Sequence, residues 1–138
     1  MPATPVSPDN LLSYRYLTAT NFEDAITALA GGGQTGAYAL SAQLSRVATV
    51  ASGNDSVALP KIINVGIGDS RPGALGMIMI VRNDGANSMQ VFGATPDTIN
   101  SVATGTGVAV GAGKTAIFVA QAFNQTTNVG NWVMILSA

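Results

Sequence analysis

From Gly33 onward the chain consists of short apolar segments broken by Gly, Asn and Asp. The segments are rich in Val, Ile, Ala, Thr and Phe, and none continues long enough with a helical period to read as a helix. Candidate strands are Ala37–Ser41, Leu44–Ala51, Ser56–Leu59, Ile62–Val65, Leu75–Arg82, Met89–Phe92, Thr98–Val102, Gly107–Val110, Thr115–Ala122 and Asn131–Ser137. Strands at this spacing predict a sandwich or barrel. Sixteen glycines supply turns, where positive φ is often required.

Before Gly33 the pattern differs. Pro2, Pro5 and Pro8 fix φ and lack N–H donors, so residues 1–19 read as an extended arm. That arm is either a frayed terminus or a strap that orders on a partner. Thr20 and Glu23 have capping-box spacing, and Phe22, Ile26 and Leu29 fall at helical intervals. A short amphipathic helix is therefore expected over Asn21–Ala30, ended by Gly31-Gly32-Gly33. The expected organisation is an arm (1–19) and one domain (20–138), since no linker divides the chain after Gly33.

Charge bounds the function. Only 9% of residues are charged, against about 25% in typical domains. Six basic and seven acidic residues nearly cancel, while hydrophobic residues reach 47%. Two readings remain: a neutral monomer coated with Ser, Thr and Asn, or a subunit largely covered by neighbours. Interface cores are depleted in charge, which favours the second. Four Arg and two Lys, scattered singly, form no stripe for nucleic acid. The strongest apolar run, Met77–Val81, is one strand long, far short of the about 20 residues of a membrane-spanning helix. The first ten residues lack the basic and apolar regions of a secretory signal.

Chemistry is scarce. There is no His and no Cys, so His-centred triads, thiolate nucleophiles and His or Cys metal cages are excluded. Gly105–Thr115 (GTGVAVGAGKT) imitates a phosphate loop, but the pattern needs a glycine where Val108 stands, and strand-like residues follow Thr115. Asp55, Asp69, Asp84 and Asp97 are candidates for a glycosidase pair or a calcium site, yet each lies in a turn-like context. Asp84-Gly85 between apolar segments predicts a hairpin, and Asp97 after Pro96 predicts a turn into the next strand. Asp84, Gly85 and Asp97 are thus expected to be structural, and no catalytic residue, cofactor or metal is expected. Met77 and Met79 alternating with Ile78 and Ile80 suggest a strand covered on both faces. Trp132, alternating with Met134 and Leu136, reads as core, and the chain end reads as tied into the sheet.

One resemblance adds to this reading. Arg46–Val50, Asn54–Pro60, Val81–Asn87, Met89–Gly93, Asp97–Asn100, Gly113–Thr115 and Trp132 form an ordered series. It resembles a β-domain recurring in small structural proteins of tailed bacteriophages, and in particular jelly-roll capsid cement (decoration) proteins. The likeness spans Ala37 to Leu136 and leaves out the arm and the expected helix. It implies an all-β, jelly-roll-type antiparallel sandwich, with a short N-terminal helix and extended arm added from composition. It implies a non-enzymatic virion protein that assembles in the host cytoplasm, sits on the outer capsid surface and cements neighbouring major capsid subunits. The expected partners are the major capsid protein and further copies of itself, as dimer or trimer, with no nucleic acid and no membrane. Tyr14, Arg15 and Tyr16 are expected contacts, with Arg46, Arg71 and Arg82 as ion-pair partners for acidic patches. The alternative is a fibre or tail-associated module that binds host glycans, which needs an exposed aromatic platform.

Overall fold

The computed structural model describes residues 21–64 and 73–138. The expected arm, and with it Tyr14, Arg15 and Tyr16, lies outside the described residues, as do Thr20, Asp69 and Arg71.

Among the described residues, ten strands form two sheets around one core. In chain order they are β1 (Phe22–Thr27), β2 (Tyr38–Ala39), β3 (Leu44–Thr49), β4 (Ser56–Ala58), β5 (Ile78–Asn83), β6 (Met89–Phe92), β7 (Thr98–Ile99), β8 (Val108–Val110), β9 (Thr115–Asn124) and β10 (Val129–Leu136). The larger sheet has the order β1-β3-β5-β9-β10-β7, the smaller β2-β4-β6-β8. Inward side chains alternate with outward ones, as the pleat requires. Val47, Met79, Val81, Ala116, Phe118, Ala120 and Trp132 of the larger sheet meet Val57, Met89, Val91 and Val110 of the smaller in one cluster.

The path of the chain departs from expectation. The first six strands alternate between the sheets, so that β1, β3 and β5 are parallel neighbours in one, and β2, β4 and β6 in the other. The chain makes three circuits laid side by side. Antiparallel pairing enters at β5–β9, β9–β10 and β6–β8, while β7 pairs with β10 in parallel. The all-β, two-sheet architecture is as expected, but the sheets are mixed, where a jelly-roll sandwich was expected to be antiparallel. The cause is visible at Asp84-Gly85. These residues do not close a hairpin, because β5 and β6 belong to different sheets. The Asp84 N–H extends the β3–β5 ladder to the Val47 carbonyl (2.9 Å), and the Asn83 Oδ1 accepts the Gly85 N–H (2.9 Å), turning the chain across the core.

The expected helix over Asn21–Ala30 is a strand, β1. Phe22, Ile26 and Leu29 do not share a face: Ile26 is buried, whereas Phe22 is 56% exposed. Ala25, at φ 57°, makes the irregularity that turns Ile26 inward. Glu23 does not cap a helix. Its carboxylate accepts the Tyr38 hydroxyl and the Ser41 N–H and Oγ. Helical propensity over so short a segment is weak, and pairing with β3 outweighs it. Within the expected strand Ile62–Val65, the described residues 62–64 form no strand. Ile63 forms a single bridge to Ala74, and Val65 lies outside the described residues. The chain end is tied in, with the Ser137 N–H donating to the Thr115 carbonyl (2.8 Å).

Candidate interaction face

The outward side of the larger sheet is apolar. Register fixes which residues align across the strands: Phe22 pairs with Leu44, Leu44 with Ile80, Ile80 with Ile117, and Ile117 with Ile135. Five large apolar side chains therefore form one row across five strands. Beside it runs a second, shorter row, in which Ile78 pairs with Val119 and Val119 with Val133. Phe22, Ile78 and Ile135 are 56%, 51% and 60% exposed, and the rest are half-buried among one another. The sequence suggested that the Met77–Val81 run is covered on both faces. Among the described residues one face is covered: Met79 and Val81 are fully buried, and Ile78 and Ile80 are not.

A charged row borders the apolar ones. Arg46 pairs with Arg82, and Arg82 with Thr115. The Arg46 guanidinium donates to Asp24 Oδ1 (2.7 Å) and Asp84 Oδ2 (2.6 Å), and Arg82 Nε donates to Asp84 Oδ1 (2.6 Å). Arg82 Nη1 also reaches the Gly113 carbonyl (2.6 Å). The Arg46 and Arg82 guanidiniums hold the Asp84 carboxyl below its ordinary value, and the Arg46 bond does the same for Asp24. Two positive and two negative side chains thus neutralise one another. Arg46 and Arg82, expected as contacts, do lie on this face, but their charges are already paired.

The remaining carboxylates are structural. Asp97 is buried, and its carboxylate accepts Lys61 Nζ (2.5 Å), the Ile62 N–H (2.6 Å) and the Gly130 N–H (2.7 Å). It joins the segment after β4, the approach to β7 and the start of β10. Asp55 accepts the Ser52 hydroxyl (2.6 Å) and the N–H groups of Ala51, Ser52 and Gly31, and the Ser52 bonds lead in holding its carboxyl below the usual range. The Asn83–Asn87 loop offers little to a cation. The Asn83 amide donates to the carbonyls of Asn87 (2.9 Å) and Val110 (2.8 Å), the Asn87 amide donates to those of Val50 and Ala51, and Asp84 is held by the arginines. Among the described residues no three Asp, Glu, His or Cys are grouped as metal ligands. Asp24 and Asn83 were not singled out from the sequence. Asn83 lies within a Val-Arg-Asn-Asp-Gly run whose aspartate drew attention instead.

Trp132 is fully buried in the core and offers no platform to a glycan. A shallow groove beside the β9–β10 turn is lined by Phe123, Asn124, Thr127 and Val129 and carries no carboxylate. Compared with family models, curated proteins and solved structures, the chain matches none.

Proposed function

We propose that this chain is a structural subunit of a tailed-phage virion, which binds the outer surface of the capsid and ties neighbouring major capsid subunits together. The observation that carries the reading is the outer face of the larger sheet: a broad apolar surface beside a self-neutralised charged row. Each described carboxylate is bonded to a side chain or to backbone of its own chain, and the apolar face is what supports a role in assembly.

A large apolar face is costly to leave in water, and monomers seldom keep one. Burial contributes about 25 cal/mol per Å², of which association entropy cancels a large part. Repetition over a closed shell converts modest contacts into firm attachment. The reading follows the sequence likeness to jelly-roll cement proteins, and the side-by-side parallel circuits depart from the antiparallel sandwich that likeness implies.

Quantitative mass spectrometry of purified particles tests the reading. The chain is expected at a copy number comparable to that of the major capsid protein. A handful of copies, or none, overturns it.

A further inference from the structure

We infer that the outer face of the larger sheet binds a second copy of this chain, around a twofold axis running along the strands. This rests on reading that face as an assembly surface, and it names the partner.

Three observations lead there. First, polarity is banded by row. Phe22, Leu44, Ile80, Ile117 and Ile135 are apolar from one side of the row to the other, and Asp24, Arg46, Arg82 and Thr115 are polar throughout. A twofold axis along the strands reverses strand order but keeps each row on itself, so apolar meets apolar and polar meets polar. Isologous interfaces require such self-complementarity. With the axis at β5, Phe22 of one copy lies over Ile135 of the other, Leu44 over Ile117, and Ile80 over its counterpart.

Second, the charged row sums to zero, so two copies do not repel. Arg82, like Ile80, lies on the axis over its counterpart, and the Asp84 carboxylate that each guanidinium holds at 2.6 Å offsets the two positive charges. A partner recognised by charge would instead need an unneutralised row.

Third, the size sets the strength. Strands are about 4.8 Å apart and alternate residues about 6.8 Å apart. The Ile80 level crosses five strands, the Arg82 level four and the Ile78 level three, which gives about 390 Å² in projection, about half the roughly 800 Å² per partner of a standard interface and in the range of a weak, reversible contact. The two sheets then pack face to face, as sandwich layers do.

The test uses the full-length chain. Sedimentation and native mass spectrometry should show a reversible dimer at about 100 µM chain that dissociates on dilution to about 1 µM. Ile80→Glu places two carboxylates together at the axis and should weaken the dimer about 100-fold; Ile135→Glu, at an already exposed site, should weaken it less. Because the chain has no Cys, single cysteines report proximity directly. Ile80→Cys should cross-link to its counterpart on mild oxidation, and Phe22→Cys mixed with Ile135→Cys should give the heterodimer. A wild-type monomer, a dimer indifferent to Ile80→Glu, or folded cysteine variants that fail to cross-link would overturn the inference. The first result hands the face to another protein or to residues 1–20. If Ile80→Glu does not fold, the cysteine pairs still decide. Virion copy number is measured separately, so a dimer absent from particles overturns the capsid reading alone.

Discussion

Gly85 lies against Val50 so closely that a Cβ added there would sit 2.6 Å from both the Val50 nitrogen and its Cβ. This is where the third circuit of chain crosses the second on its way between sheets. Gly85→Ala must push the crossing strands apart and is expected to cost about 1–3 kcal/mol, as overpacking does. Gly53, with open space around its Cα, is the control: Gly53→Ala should fall within about 0.5 kcal/mol of wild type. Urea unfolding of the two variants checks both values.

Asp97 should be among the least replaceable side chains. Asp97→Ala leaves the Lys61 ammonium without its carboxylate and two backbone N–H groups, of Ile62 and Gly130, without acceptors. Breaking such an arrangement is expected to cost about 3–5 kcal/mol. Equilibrium unfolding measures the loss.

Acid should destabilise the fold through the carboxylates whose folded pKa is depressed. Asp84 and Asp24 are held down chiefly by Arg46, and Asp55 by Ser52. A depressed carboxylate contributes stability that is fully present above its unfolded value, about 3.9, and lost as pH falls through the lower folded value. Stability is therefore expected to be flat near neutrality and to decline below about pH 4. Asp84→Asn should lower the plateau and flatten the decline. Thermal melts at a series of pH values test the sign.

Two adjacent residues of β5 should respond in opposite ways. Met79 is fully buried, so Met79→Ala should cost about 2–5 kcal/mol. Ile78 is 51% exposed on the outer face, so Ile78→Thr should leave monomer stability within about 0.5 kcal/mol. The same change should reduce binding of a hydrophobic dye and self-association. Calorimetry with dye fluorescence separates the two effects.

Strand positions were largely legible in the sequence, and neighbours were not. Met89–Phe92 is a strand over the expected residues, and most other expected strands recur with shifted ends. Alternation of apolar residues marks a strand but does not say which strand lies beside it. Asp84-Gly85 has the composition of a hairpin turn, and only the close approach of Val50 and the bonds of Asn83 show that it crosses between sheets. At Phe22–Leu29 the helical spacing was real, but β3 provides backbone partners that a ten-residue helix could not match. The apolar face was half legible. The run Met77–Val81 announced two apolar sides, but the alignment of Phe22, Leu44, Ile80, Ile117 and Ile135 depends on register, which no local pattern encodes. Asp97 reads from the sequence as a turn residue, and its three partners come from segments distant in sequence.

The side-by-side circuits of β1 to β6 give the molecule the character of a short coil spring. Each winding leans on the one before through backbone ladders, and the Asn87 amide reaches back to Val50 and Ala51 of the previous winding. A further winding spliced between β4 and β5 would find the same ladder on either side, so this architecture can lengthen by whole turns while its closing strands, β7 to β10, stay as they are.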